Sequence, residues 1–121
     1  MTTTPAQIAE AFSGHRFADT YPHLASDVRW VQIGGPTLHG REAVMSACEA
    51  SAGELVGVTT TFRTFRSIAD AAAGAVVVES LADYVDPDGQ TSTVACCDVY
   101  DFADERLVTI TSYNLVPTDN Q

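Results

Sequence analysis

The second half of the chain consists of four strand-like segments in succession, and this pattern restricts the fold more than any other feature. The segments 56–69, 75–85, 90–102 and 107–116 are rich in Val, Thr and aromatic residues, the side chains that favour β-strands. Short turns such as "DPDG" and "ADER" separate them. Because consecutive strands joined by tight turns pair antiparallel, we predict a curved antiparallel sheet.

The first half is predicted to supply three helices and one further strand. "TPAQ" carries a capping threonine, a proline suited to the first helical position and a glutamine that completes a capping box, so a helix should begin at Pro5 and end near Gly14. A short helix is expected over 18–26 and a longer one between Gly40 and Gly53, with the strand "DVRWVQI" between them. Helices followed by strands predict an α+β domain with the helices packed on one side of the sheet.

Length and charge limit the classes of partner. The 121 residues predict a single domain, 1–121, with a core over about 5–116 and a polar tail over 117–121. The net charge of −10 disfavours nucleic acid and anionic membrane surfaces as partners. No stretch approaches the roughly 20 apolar residues that span a bilayer. The chain has arginines but no lysine, and the composition is typical of a bacterial protein from a GC-rich genome.

The cysteines and the first residues bear on the compartment. Cys48, Cys96 and Cys97 are odd in number and lack the spacing of a disulfide framework. The opening "MTTTPAQIAEAF" does not resemble a secretion signal. We therefore expect a cytoplasmic location.

An acidic residue stands in the middle of an apolar strand, "VACCDVYDF". Alternation places Asp98 on the face that carries the larger side chains Val94, Cys96, Tyr100 and Phe102, which the helices are expected to cover. A buried carboxylate is costly unless it is paired or hydrogen bonded. Two interpretations stay open: an acid or base that transfers protons, and a structural acid held by a nearby donor.

Residues around Asp98 are predicted to shape and orient a ligand. They are Trp30, Gln32, Tyr100 and Asn114. Alternation along the last strand places Val108, Ile110, Ser112 and Asn114 on one face, where they can offer hydrogen-bond partners to Asp98, and Leu107 on the other.

The histidines are weighed as proton carriers and as metal ligands. His39 precedes the third helix in a predicted loop near the pocket and is the candidate partner of Asp98 in proton transfer; a solvated loop histidine is the alternative. His15 and His23 are predicted to lie at the surface. The three histidines form no metal-ligand pattern, and no Gly-rich phosphate loop or nucleophile motif is present. We expect no metal and no cofactor.

The element order, together with "FADTYPHLASDVRWV", "HGREAV" and "VYDFADERLVTITSYNL", resembles the SnoaL-like branch of the nuclear transport factor 2-like superfamily over about residues 5–116. The resemblance implies a cone-shaped, curved antiparallel or mixed sheet that is wrapped by the three helices and encloses a deep apolar pocket. It also implies a homodimer through the outer sheet face, with which Ala95, Cys97 and Val99 are compatible. The superfamily includes ketosteroid isomerases, polyketide cyclases, epoxide hydrolases and dehydratases.

The resemblance carries over to only part of the isomerase site. Asp98 falls on the oxyanion-hole aspartate of the ketosteroid isomerases, but their general base falls on Gln32 and their pocket tyrosine falls near Ile8. Because neither residue can perform that chemistry, steroid isomerisation is not expected. The epoxide hydrolase pattern of two aspartates bridged by an arginine is not evident, and Arg63 or Arg66 is left open as a partner of Asp98.

The expected function is binding of a small, apolar, oxygenated molecule. Catalysis, if present, would be that of a cofactor-independent isomerase, cyclase or dehydratase with Asp98 as the acid or base. The alternative is a non-catalytic ligand-binding or dimerisation module. A third interpretation is a protein-recognition domain like nuclear transport factor itself. That function would need an exposed apolar patch on the helical face, and no segment of the sequence indicates one.

Overall fold

The computed structural model describes residues 3–118, which fold into helices packed on one side of a six-stranded sheet. The elements in chain order are α1 Pro5–Ser13, a 3₁₀ helix Phe17–His23, β1 Leu24–Gln32, β2 Thr37–His39, α2 Arg41–Glu54, β3 Thr59–Asp70, β4 Ala75–Val85, β5 Thr91–Ala103 and β6 Arg106–Leu115. The predicted α+β class is confirmed. Residues 119–121 of the predicted polar tail lie outside the described residues.

The sheet is mixed and open, with the strand order β2-β1-β6-β5-β4-β3. Strands β3 to β6 pair antiparallel, as their short turns predict, whereas β1 runs parallel to β6. This parallel pair brings side chains from the two halves of the chain next to each other on the concave face. Within residues 3–118 no helix is long and apolar enough to cross a membrane.

Two element boundaries differ from the predictions. The helix expected over 18–26 is a 3₁₀ helix that ends at His23, and β1 begins at the next residue. The segment before α2, predicted as a loop, is the short edge strand β2, which pairs antiparallel with β1. Short edge pairings of this kind have few residues and leave little trace in the sequence pattern.

Helix α1 begins where its capping box predicts. Thr4 Oγ1 accepts a hydrogen bond from the Gln7 amide at 3.1 Å, and Gln7 Oε1 accepts one from the Thr4 amide at 2.9 Å. The helix ends at Gly14, whose amide donates to the Glu10 carbonyl oxygen at 2.8 Å. These ends hold Phe12 in the core and fix the point at which the chain leaves the helix.

The hydrophobic core fills one end of the concave face. The sheet and the helices contribute to one cluster of buried side chains, the largest of which are Tyr100, Leu24, Leu107, Ile110, Val28, Val44, Val76 and Val78. Buried polar residues lie further along the same strands, directly next to this core.

Leu107 contradicts the alternation predicted for β6. It is fully buried in the core, whereas the sequence pattern placed it on the outer face. The register shifts at this point: Asp101 pairs with Thr109, but Phe102 pairs with Leu107, so Val108 is an extra residue. Such a β-bulge reverses the facing of every residue on one side of it, which is why simple alternation is wrong here.

Candidate functional site

A cavity of about 290 Å³ lies next to the core on the concave face. Its wall is built from the end of α1, the end of α2 and the strands β1, β4, β5 and β6. The titratable groups in this wall are Asp98, His15, Glu54, Tyr84 and Cys96. It is therefore the part of the described structure where acidic, basic and aromatic side chains surround a space that can hold a ligand.

The strand register aligns the candidate residues in rows across the sheet. Asp98 pairs with Ser112, and Ser112 pairs in turn with Gln32, so these three side chains stand side by side. Asn114 pairs with Cys96 in the next row along the strands. Residues paired in register share a face. The inward facing predicted for Asp98 is confirmed, since its residue is only 6% exposed.

Neutral donors hold the Asp98 carboxylate. Its Oδ1 accepts from Ser112 Oγ at 2.6 Å and from Cys96 Sγ at 3.3 Å. Near Oδ2, Ser13 Oγ lies at 2.7 Å and Tyr100 Oη at 3.3 Å, and these two hydroxyl oxygens are 2.5 Å from each other. Because each hydroxyl has one hydrogen, one of the two donates to the other and only one donates to Oδ2. The carboxylate thus receives three hydrogen bonds, which offset the cost of removing it from water.

A second layer of contacts fixes these donors. Trp30 Nε1 donates to Ser112 Oγ at 2.9 Å, and Tyr100 Oη lies 2.5 Å from Ser13 Oγ. Burial, reinforced by the negative charge of Asp98, raises the pKa of Tyr100 well above its ordinary value, so the phenol stays protonated and can donate. Tyr100 is fully buried and therefore supports Asp98 from behind, whereas it was predicted to touch the ligand.

The Ser112 hydroxyl is the best single test of this network. Ser112→Ala leaves the Trp30 N–H without its acceptor and removes the shortest hydrogen bond to Asp98. We expect the free energy of unfolding to fall by about 1.5–3 kcal/mol, the range for hydrogen bonds to charged groups. Urea denaturation measures it, with Ser51→Ala, elsewhere in the cavity wall, as the matched control. A loss equal to that of the control would contradict the network.

His15 lies in the cavity wall, and the prediction that it lies at the surface is wrong. It has a left-handed backbone conformation, with φ of 66°, directly after the end of α1. Its ring centroid lies 5.7 Å from that of Phe62, 5.8 Å from that of Phe17 and 5.9 Å from that of Tyr84. Its Nε2 lies 3.4 Å from Tyr84 Oη. The sequence indicates that the helix stops at "SGH", but it does not predict the backbone conformation that turns His15 toward the cavity.

Burial and charge act in opposite directions on His15. Burial lowers the pKa of the imidazole, and the negative charge of Asp98 offsets part of that effect. For Tyr84 both effects act together: burial and the negative charge of Asp98 raise its pKa. At neutral pH the site therefore combines an unprotonated imidazole with a protonated phenol.

His39 does not join the site. It is exposed on the edge strand β2 and pairs in register with Arg29, while Leu38, the residue that faces inward, packs against the core. Trp30, Gln32 and Asn114 line the cavity, and their contact with a ligand stays a prediction. Gln32 Nε2 also donates to the Pro36 carbonyl oxygen at 3.2 Å, which leaves its second amide hydrogen available.

A larger depression, of about 710 Å³, lies on the opposite, outer face of the sheet. Arg63 and Arg66 project from this face, where Arg63 Nε lies 2.7 Å from Asp83 Oδ2 and Arg66 Nε lies 3.0 Å from Glu79 Oε1. Neither arginine is a partner of Asp98, which answers the question left open by the sequence. These exposed ion pairs stabilise the fold little, and the depression has no buried titratable cluster. We therefore place the candidate chemistry in the smaller cavity.

The described residues offer no obvious metal centre. Among residues 3–118, no three His, Cys, Asp or Glu side chains are grouped so that they could hold a metal ion. The donors around Asp98 are hydroxyls and a thiol.

Comparisons with known proteins identify the fold and the family. A family model described as "SnoaL-like domain" matches residues 6–110. No curated protein matches the chain. A structurally similar protein of unknown function from Cytophaga hutchinsonii, described as NTF2-like, is 29% identical, with a TM-score of 0.76 over 89% of this chain and 93% of that one.

Two similar structures carry enzyme names. A protein proposed to be a polyketide cyclase from Xanthomonas campestris is 23% identical, with a TM-score of 0.70 over 88% of this chain and 83% of that one. An epoxide hydrolase from M. tuberculosis, described as LEH-like, is 17% identical, with a TM-score of 0.65 over 91% of this chain and 81% of that one. At these identities the similarity shows a shared fold and leaves the activity open.

Proposed function

Because this chain belongs to the SnoaL-like domain family, we propose that it binds a small, apolar, oxygenated molecule in the cavity beside Asp98 and catalyses a cofactor-independent proton transfer on it. The reaction class is isomerisation, cyclisation or dehydration, and the chemistry depends on the Asp98 carboxylate. The observation that carries the proposal is this buried carboxylate at a cavity wall, held in place by three hydrogen bonds from neutral donors.

The size of the cavity supports a compact ligand. Its volume of about 290 Å³ is at the lower limit of small-molecule sites, which are commonly about 300–1,000 Å³. A single-ring ligand suits this space better than a multi-ring steroid. This agrees with the absence of the isomerase base, whose position is taken by Gln32.

The lining favours a neutral ligand that carries oxygen. Asp98 and Glu54 are acidic, and the described lining contains no arginine, so a carboxylate or phosphate would be repelled. Gln32 and Asn114 supply amide groups that can donate to a carbonyl or hydroxyl oxygen. Trp30 supplies an apolar wall.

The assay that tests this function uses simple ketones. We expect cyclohexanone and 2-cyclohexen-1-one to bind and to exchange the hydrogens beside their carbonyl for solvent deuterium faster than in buffer. Proton NMR in D2O measures the exchange, and thermal shift measures binding, with about 2.7 kcal/mol of stabilisation at 100 times the dissociation constant. Cyclohexanecarboxylate, with the same ring and a negative charge, is the control that should not bind.

The same assay separates the alternatives. Binding without exchange would favour the non-catalytic ligand-binding module. Failure of every neutral ring compound to bind would contradict the proposed ligand class. The enzyme names of two structural neighbours describe those proteins and do not choose between the two alternatives.

We also propose a homodimer through the outer sheet face. Tyr113 and Leu115 are 49% and 65% exposed there, on the strand next to Ala95 and Cys97. Large apolar side chains exposed together are typical of an interface. Light scattering of the purified chain, compared with Leu115→Asp, tests the dimer: a wild-type monomer would contradict it.

A further inference from the structure

We infer that His15 is the residue that exchanges a proton with the ligand, and that Asp98 acts as the fixed negative charge that stabilises His15 when it is protonated. This inference rests on the proposed function and assigns its two central roles. It gives the base function to a residue on the turn after α1, and it changes the role expected for Asp98 from proton acceptor to counter-charge.

The hydrogen bonds of Asp98 argue against a direct proton transfer to it. Oδ1 already accepts two hydrogen bonds, from Ser112 and Cys96, and Oδ2 accepts one from the paired hydroxyls of Ser13 and Tyr100. A proton arriving on Oδ1 would have to displace one of its donors, and the two hydroxyls that pack against Oδ2 restrict the approach of a ligand to that oxygen.

The surroundings of His15 favour a base. Its ring is half-buried at the cavity wall, with Tyr84 Oη 3.4 Å from Nε2 and three aromatic rings around it. The titratable groups that line the same cavity are Glu54 of α2, Tyr84 of β4, and Cys96 and Asp98 of β5. Burial keeps the pKa of His15 below its ordinary value, while the Asp98 charge favours the protonated form. The imidazole is therefore neutral before the reaction, and the Asp98 charge stabilises it once it has taken up a proton. This combination suits a general base.

The step balances without a co-reactant. The C–H bond beside the ligand carbonyl breaks, its proton passes to the lone pair of an imidazole nitrogen of His15, and the electron pair moves onto the carbonyl oxygen as an enolate. Amide hydrogens of Gln32 or Asn114 can donate to that oxygen. Return of the proton from His15 to a different carbon, or to the same one, completes an isomerisation or an exchange.

The first experiment follows the three histidines of the full chain by NMR as the pH is changed. We expect His15 to titrate below 6.5, and its midpoint to fall further in Asp98→Asn, because the favourable charge is removed. His39, exposed on β2, is the internal control. A His15 midpoint at or above 6.5, or one that Asp98→Asn leaves unchanged, would overturn the pairing of the two residues.

The second experiment measures deuterium exchange of cyclohexanone with matched histidine variants. We expect His15→Gln to lose about 10²–10⁴-fold of the rate with little change in ketone affinity, and His39→Gln to keep the wild-type rate. The wild-type rate should rise with pH through the His15 midpoint and then level off, since only the unprotonated imidazole accepts a proton.

The outcomes distinguish the two proposals. Equal rates for His15→Gln and the wild type would overturn the role of His15 and leave the proposed function standing. A wild-type chain that exchanges none of the ketones would overturn the catalytic part of the proposed function itself, and the role of His15 with it.

Discussion

Asp98→Asn is expected to slow deuterium exchange about 10²–10⁴-fold while the chain stays folded. Asparagine has the shape of aspartate but no charge. Without that charge, the imidazolium that forms when His15 takes a proton loses its counter-ion in a site sheltered from water, where such interactions are strong. The ketone assay measures the rate, and thermal shift with the same ketone should show nearly unchanged affinity.

The asparagine variant also has a structural cost that must be separated from the loss of activity. The new Nδ2 donates and cannot accept, so the hydroxyl or thiol donors to the oxygen that it replaces must turn away from it. We expect the free energy of unfolding to fall by about 1–3 kcal/mol. A fold with several kcal/mol of stability survives this change.

Asp101→Asn provides the matched control. Asp101 lies on the same strand, three residues away, and pairs with Ala75 and Thr109 on the outer face. The variant removes the same formal charge without changing the cavity, so deuterium exchange of the ketone should stay at the wild-type rate. If Asp98→Asn loses stability but keeps its rate within about threefold of wild type, Asp98 is a structural acid and the proposed chemistry is wrong.

The strands and the facing of Asp98 could be predicted because both follow from a local repeat. Period-two alternation needs only neighbouring residues, and it carries from Val94 to Tyr100 without interruption. The turn-linked order of the last four strands adds their antiparallel pairing. The same reasoning placed Gln32 and Asn114 at the cavity, since each continues the inward face of its strand.

The partners of Asp98 depend on contacts that no local pattern encodes. Ser13 donates to Asp98 across 85 positions of sequence, because the end of α1 lies over β5. His15 reaches the cavity only because its backbone is left-handed, a conformation that the sequence pattern assigned to a glycine stop. The parallel pairing of β1 with β6 likewise joins two segments that lie far apart in the chain. These contacts decide which residue is the base, so the site is less predictable than the fold.

Leu107→Ala is expected to lower the free energy of unfolding by about 2–5 kcal/mol, the largest stability effect we predict. Leu107 is fully buried in the core, and its loss leaves a cavity among side chains that cannot close over it. Val108→Ala is the matched control, and its cost should be about 1 kcal/mol or less because Val108 is only half-buried.

The pair of variants tests the β-bulge directly, because the two possible registers predict opposite results. Uninterrupted alternation would put Val108 in the core and Leu107 outside, so Val108→Ala would then be the costlier change. Urea denaturation of both variants shows which one loses more free energy of unfolding. If the dependence of that free energy on urea concentration is unchanged, the difference between the variants is one of stability alone. The bulge lies on the same strand pair as the Asp98 network, with Phe102 opposite Leu107 beside the bulge and Ser112 opposite Asp98 further along. If Val108 proves the costlier position, the register of β5 against β6 near the bulge is wrong, and the pairing of Ser112 with Asp98, on which the carboxylate network rests, must be re-examined.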